Sequence, residues 1–181
     1  AKPQHVWTGS IAQDIASSDI TIGTEPLTNG PHAFKVWTSN PNDSSDADKY
    51  NDTILLNFFA CSQIYNGVYT LGGSSADFPD FATLVFGLKS CGISGPVTIN
   101  VNPGTYNETI ILTDSIPGLS VLNTITIQSS TGNPNDVWVK NATSATENYV
   151  VKLNGAKYIT FKNIGFEATG GNVLYGAIFL S

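Results

Sequence analysis

Fourteen acidic side chains, eight lysines and no arginine bound the chemistry open to this 181-residue chain. The densest group of oxygen donors is the stretch 40–52, Asn-Pro-Asn-Asp-Ser-Ser-Asp-Ala-Asp-Lys-Tyr-Asn-Asp. There Asp46, Asp48 and Asp52 could hold Ca²⁺, a hard cation that takes several carboxylate and carbonyl oxygens at once. The stretch lacks EF-hand spacing and the turn glycine of that loop, so a solvated interstrand loop of turn formers is the competing reading. Calcium aside, no cofactor is expected.

Proton-transfer chemistry needs carboxylates that converge on one face. Residues 67–181 offer Asp77, Asp80, Glu108, Asp114, Asp136, Glu147 and Glu167, with no pair expected to converge on one face and no arginine. His5 and His32 both lie in the first third and read as ordinary strand residues, no Gly-x-Ser-x-Gly elbow occurs, and two cysteines do not make a zinc site. No catalytic constellation is expected within the segment. Cys61 and Cys91 are candidates for a disulfide across a module junction, against the alternative of two buried thiols. Trp138, Tyr149, Tyr158 and Tyr175 read as outward aromatics that could stack on sugar rings, or on one another between neighbouring strands. Trp7 and Trp37 read as core.

The elements that must position these groups are mostly strands. Hydrophobic residues make up 41% of the chain and charged ones 12%, normal for a folded protein, while Thr, Ser, Asn and Gly are abundant. Lysines scattered from Lys2 to Lys162 under a net charge of −6 form no basic patch, which argues against nucleic acid. No run of about 18 apolar residues exists, so no transmembrane segment is expected. A chain without Met that opens Ala-Lys-Pro-Gln reads as a mature or excised product, and an extracellular or cell-surface location is expected.

Two modules are expected. Residues 1–66 show short strands at 5–7, 19–22, 32–37 and 53–58 with turn residues between them, an antiparallel sandwich pattern. Residues 67–181 begin with one amphipathic helix, Pro79 to Ser90, carrying Phe81, Leu84, Val85 and Leu88 at helical spacing, with Pro79 in its first turn and Gly92 just past its end. Short alternating strands follow. Ile99, Ile125, Val151 and Ile178 recur at a nearly constant step, and Ile111, Val137 and Ile164 form an offset series with the same step. A period of about 26 residues predicts stacked coils with two or three strands each, the helix shielding the first coil from edge pairing.

Two resemblances sharpen this. Trp7-Thr8-Gly9, the run from Gly30 to Asn42, Asp46 and Asn51-Asp52-Thr53 resemble the C-terminal half of a bacterial Ig-like domain of the CARDB type, named for a presumed role in cell adhesion. A full sandwich needs about 100 residues, so this one is expected to be incomplete and to leave an open edge or face. Tyr69-Thr70-Leu71-Gly72-Gly73-Ser74-Ser75, Pro103-Gly104-Thr105-Tyr106-Asn107-Glu108 and the run from Val151 to Asn163 resemble the opening of large secreted right-handed parallel β-helix proteins of Bacteroidota, in the pectin-lyase-like superfamily. The resemblance implies an all-β chain: a partial Ig-like β-sandwich followed by the helix-capped N-terminal coils of a right-handed parallel β-helix. It also implies export by type IX secretion. Asp52-Thr53-Ile54 and Asp114-Ser115-Ile116 match the short O-glycosylation pattern of that lineage, making Thr53 and Ser115 modification candidates.

Three functions are compatible with this reading. The first is a non-catalytic extracellular or cell-surface structural or adhesion protein, its β-helix stalk in contact with glycans. The second is the N-terminal part of a polysaccharide lyase or hydrolase whose active site lies beyond Ser181, since the superfamily's enzymes carry their catalytic groups on later coils. The third is the subunit of an extracellular fibre completed by strand exchange. All three expect partners at both open ends, from upstream and downstream chain or from neighbouring subunits.

Overall fold

The computed structural model describes residues 6, 8, 9, 19, 21, 23–38, 53–113, 115–144, 146–170 and 176–180. Among them the chain is predominantly β, with one short helix. No helix among the described residues is long and apolar enough to cross a membrane.

Strands β1 (Gly30–Trp37) and β2 (Thr53–Ala60) form an antiparallel two-stranded sheet, paired from Gly30 with Ala60 to Trp37 with Thr53. Most of it faces water. Phe34, Val36, Ile54 and Leu56 share one face of the ribbon and are each 40% exposed or more. Trp37, expected in a core, is 60% exposed, because among the described residues no second sheet lies over it. The expected strands at 5–7 and 19–22 lie largely outside the described residues.

Strand β3 (Tyr65–Leu71) opens a different arrangement. After helix α1 (Phe81–Cys91) come β4 (Ile93–Val101), β5 (Gly104–Asn107), β6 (Ile110–Thr113), β7 (Ile125–Ser129), β8 (Val137–Asn141), β9 (Tyr149–Asn154), β10 (Ile159–Lys162), β11 (Gly165–Ala168) and β12 (Gly176–Leu180). These strands visit three parallel sheets in rotation, ordered β10-β7-β4-β3, β11-β8-β5 and β12-β9-β6. Alternation explains the inside: Val97, Ile99, Val101, Ile125 and Ile127 from the first sheet, Val137 and Val139 from the second, and Ile110, Leu112 and Val151 from the third belong to one buried cluster. Side chains of period two on a pleated strand leave the intervening residues outside.

The near-constant step read from the sequence is not the repeat of this structure. In the first sheet Val97 sits beside Ile125 and Ile125 beside Ile159, and the second of these intervals is the longer. In the second sheet Gly104 sits beside Val137, and in the third Ile110 sits beside Val151, an interval longer still. Val151 and Ile178 do pair, but Ile99 pairs with Ile127 rather than Ile125, and Ile111 is exposed between buried Ile110 and Leu112. Ile125 and Ile127 are both buried in one strand, so a step two residues short of the true partner still lands on an inward side chain, and loops of unequal length hide behind an apparently constant period.

Helix α1 begins at Asp80, whose carboxylate accepts the Thr83 N–H at 2.7 Å, so Pro79 precedes the cap rather than filling the first turn. Gly92, with φ of 71°, ends it and donates its N–H to the Leu88 carbonyl. Phe81, Leu84 and Leu88 are buried, and Val85 only partly. The helix touches β3 and β6, and Phe81 meets Tyr106 of β5 edge-on at 5.3 Å. It therefore reaches the first strand of each parallel sheet.

The free side of β3 is closed by its own loop. Gly72 donates to the Phe78 carbonyl, Phe78 donates to the Thr70 carbonyl, and the Asp77 carboxylate accepts both the N–H and the hydroxyl of Thr70 at 2.8 Å. At the other end, no strand among the described residues pairs with the outer sides of β10, β11 or β12. Phe161, Ile164 and Phe166 there are only partly buried.

One close crossing locks the first turn of the column. The Ile93 N–H donates to the Pro117 carbonyl at 2.8 Å, and a Cβ built on Gly118, whose φ is +83°, would lie 1.9 Å from the Ile93 carbonyl oxygen. Gly132, at φ +76°, has open space around it. In urea unfolding, Gly118→Ala should lose about 2–4 kcal/mol from clash and left-handed strain together, and Gly132→Ala only about 1–2 kcal/mol from strain. Equal losses at the two sites would show that the crossing relaxes without cost.

Candidate functional site

Among the described residues the chemistry-bearing side chains gather in three places. The first is the start of α1, where Glu108, in the turn between β5 and β6, accepts the Ala82 N–H on Oε2 at 3.0 Å while Asp80 takes Thr83. Two carboxylates distant in sequence thus meet at consecutive amides, a juxtaposition that spacing along the chain does not reveal. Burial lifts the Glu108 carboxyl above its ordinary range, the amides of Ala82 and Phe81 partly offset this, and the Asp80 charge adds to it. A close pair with one raised member is the usual form of an acid/base couple. Here, however, both carboxylates are spent on backbone amides at the helix start, which makes them a closure of the helix end.

The second place is the outer face of the β10-β7-β4-β3 sheet. Thr98, Thr126 and Thr160 stand in one row across β4, β7 and β10, and Thr70, Asn100, Gln128 and Lys162 in the next. The Gln128 amide donates to Asn100 Oδ1 at 3.0 Å. At the head of this sheet, Tyr158 is 47% exposed and holds φ of 58°, uncommon for a non-glycine residue. It lines a shallow cleft of about 250 Å³ with Leu119, Gly155 and Lys157.

The third is the outer face of the β11-β8-β5 sheet, where Trp138 lies beside Thr105 on one side and Gly165 on the other. Its indole N–H donates to the Asn135 carbonyl at 3.2 Å, Lys140 Nζ stands 5.2 Å from the ring centroid, and Lys140 pairs with Glu167. Lys140, Gly165 and Glu167 have no signature of their own in the sequence. Only the register that aligns β11 with β8 brings them to the tryptophan.

The remaining candidates are dispersed. Cys61 and Cys91 form a disulfide that ties the residue after β2 to the last residue of α1, and Phe59 meets Phe86 edge-on beside it. Thr53 is exposed at the start of β2, and exposed Ser115 shares a hydrogen bond of 2.5 Å with the Thr113 hydroxyl. Tyr149 is half-buried in the third parallel sheet with Lys152 Nζ 5.4 Å from its ring. His32 contacts the Thr28 carbonyl at 2.7 Å and stacks on Phe58. Asp46, Asp48, Asp52, Asp114, His5 and Tyr175 lie outside the described residues. Among the described residues no three His, Cys, Asp or Glu side chains are grouped so as to hold a metal ion.

The raised Glu108 carboxyl has a signed consequence. A carboxyl with a higher pKa folded than unfolded contributes stability fully present below the unfolded value, about 4.3, and loses it as pH rises through the folded value. Glu108→Gln removes that dependence. The stability of the variant relative to the parent, from urea midpoints, should therefore rise between pH 3.5 and pH 7, and a fall over that interval would contradict the assignment.

No protein family, curated protein or solved structure matches this chain.

Proposed function

We propose that this chain is a structural segment of an extracellular or cell-surface protein, without catalysis of its own: the opening coils of a right-handed parallel β-helix that serves as a stalk or adhesive surface. The observation that carries this reading is the rotation of successive strands, β4 to β12, through three parallel sheets around one apolar column. Such a column lengthens by adding coils, and each coil buries its neighbour's open rung. Helix α1 and the loop Gly72–Phe78 act as its N-terminal cap. The bare sides of β10, β11 and β12 are where further coils or a neighbouring subunit stack.

Residues 1–66 supply an incomplete Ig-like sandwich of the CARDB type. The β1–β2 ribbon with its uncovered apolar face supports this, since a lone two-stranded hairpin is marginal in water and needs a partner surface. Disulfide Cys61–Cys91 and an outer surface rich in Thr, Asn and Gln favour an oxidising, extracellular setting.

Surface labelling and thiol trapping test the reading together. On intact cells of the natural source, a membrane-impermeant amine reagent should label the protein, and Cys61 and Cys91 should resist alkylation until a reductant is added. A protein protected from the reagent, with both thiols alkylated directly, would overturn it.

The exposed Phe34, Val36, Ile54 and Leu56 favour a second reading, the fibre subunit completed by its neighbours. In that case sedimentation velocity should show assembly that grows with concentration and is abolished by Ile54→Asp with Leu56→Asp. A monomer at all concentrations would remove this second reading and leave the first in place.

A further inference from the structure

The outer face of the β11-β8-β5 sheet has an arrangement that column building does not require. A Cβ placed on Gly165 would lie 2.6, 2.7 and 2.9 Å from Cε3, Cδ2 and Cζ3 of Trp138. Three adjacent ring atoms at nearly equal distance mean that the point lies over the face of the ring rather than at its edge. The Cβ direction of a strand residue is the outward normal of the sheet. The indole therefore lies flat on the sheet with one face against Gly165 and the other turned outward, with Lys140 Nζ over the ring 5.2 Å from its centroid. Its N–H is already committed to the Asn135 carbonyl, which fixes the ring's rotation.

Around this plane the register places both kinds of hydrogen-bonding group. Thr105 shares the rung of Trp138 and Gly165, and the row that follows the next rung carries Asn107, Lys140 and Glu167 in line. A flat apolar plate bordered by a hydroxyl, an amide, an ammonium and a carboxylate matches the two sides of a pyranose ring, whose axial C–H groups form an apolar face and whose hydroxyls line its rim. The ion pair of Lys140 with Glu167 leaves the site with no net charge. The chain as a whole carries −6 and repels polyanions.

We propose that Trp138, with Lys140 and Glu167, forms a binding site for neutral hexopyranose or pentopyranose chains on the outer face of this sheet. The inference deepens the glycan contact of the structural reading above and rests on it. It adds no chemistry: the site holds a sugar ring by stacking and hydrogen bonds.

The test is isothermal titration of the whole chain with three neutral β-1,4-linked hexasaccharides, of glucose, mannose and xylose, and with an oligogalacturonate as the charged comparison. Binding of at least one neutral chain, tighter than the oligogalacturonate, is the expected result. Trp138→Ala should weaken it about tenfold or more, the scale of one aromatic contact. The unmodified protein provides a second readout that does not depend on the folding of Trp138→Ala. Of the three indole N–H signals in its NMR spectrum, from Trp7, Trp37 and Trp138, only that of Trp138 should shift on saturation with the sugar. No binding of any neutral hexasaccharide, preference for the oligogalacturonate, or a shift confined to the other two tryptophans would overturn the site. None of these outcomes would alter surface labelling or the state of the disulfide, so failure here is distinguishable from failure of the structural reading.

Discussion

Two parallel strands cannot be joined by a tight turn, because the chain must return to its starting end before it can run alongside itself. In most parallel sheets a helix makes that return. Here two further strands make it, each in another sheet, so that β4 is followed by β5 and β6 before β7 comes back beside β4. Strands β4 to β9 then each have one face toward the same interior, and Ile99, Ile127, Val139, Ile110 and Leu112 meet there although their strands belong to different sheets. The rest of the structure follows from keeping that column closed on its sides and managed at its ends.

The two ends are treated differently. At the first, α1 covers the opening, Asp77 occupies the edge donor of Thr70, Glu108 and Asp80 hold the helix start, and Cys61–Cys91 fastens the preceding ribbon to the helix end. Three of the carboxylates that composition offers for chemistry are thus consumed in accepting backbone N–H groups. At the second end, the edges of β10, β11 and β12 carry no such closure among the described residues. Among the described residues the parallel sheets are thus closed by their own chain at one edge and unpaired at the other. Threonine and amide rows occupy one outer face, and a flattened tryptophan with a neutral ion pair occupies another.

Much of the fold was legible in residue order, and for a physical reason. Alternation in Val97-Thr98-Ile99-Asn100-Val101 and Ile125-Thr126-Ile127 is a local property of a pleated strand, and the burial of these segments follows it. The helix showed itself by the spacing of Phe81, Leu84 and Leu88 and by Gly92 beyond its end. Register was not legible. The apparently constant step joined Ile99 to Ile125, although Ile127 is its true neighbour, and chose exposed Ile111 over its buried neighbour Ile110. Alternation holds within one strand, but which residue of the next strand lies alongside, and whether at an even or an odd interval, is set by the loops between them. Trp37 misled in the same way, since alternation marks which face of a ribbon a residue occupies and not whether anything covers that face.

Of the candidate sites, the sequence by itself determined the inventory: which aromatics and cysteines are available, and that arginine is absent. Those are properties of residue type. Tertiary structure alone decided the neighbours. It set Glu108 beside Asp80 at one helix start, joined Cys61 to Cys91, and laid Trp138 on Gly165 with Glu167 against Lys140. Each of these contacts joins residues far apart in the chain, and its partners are chosen by the lengths of the loops between them, which set how strands align without any mark in the strands themselves.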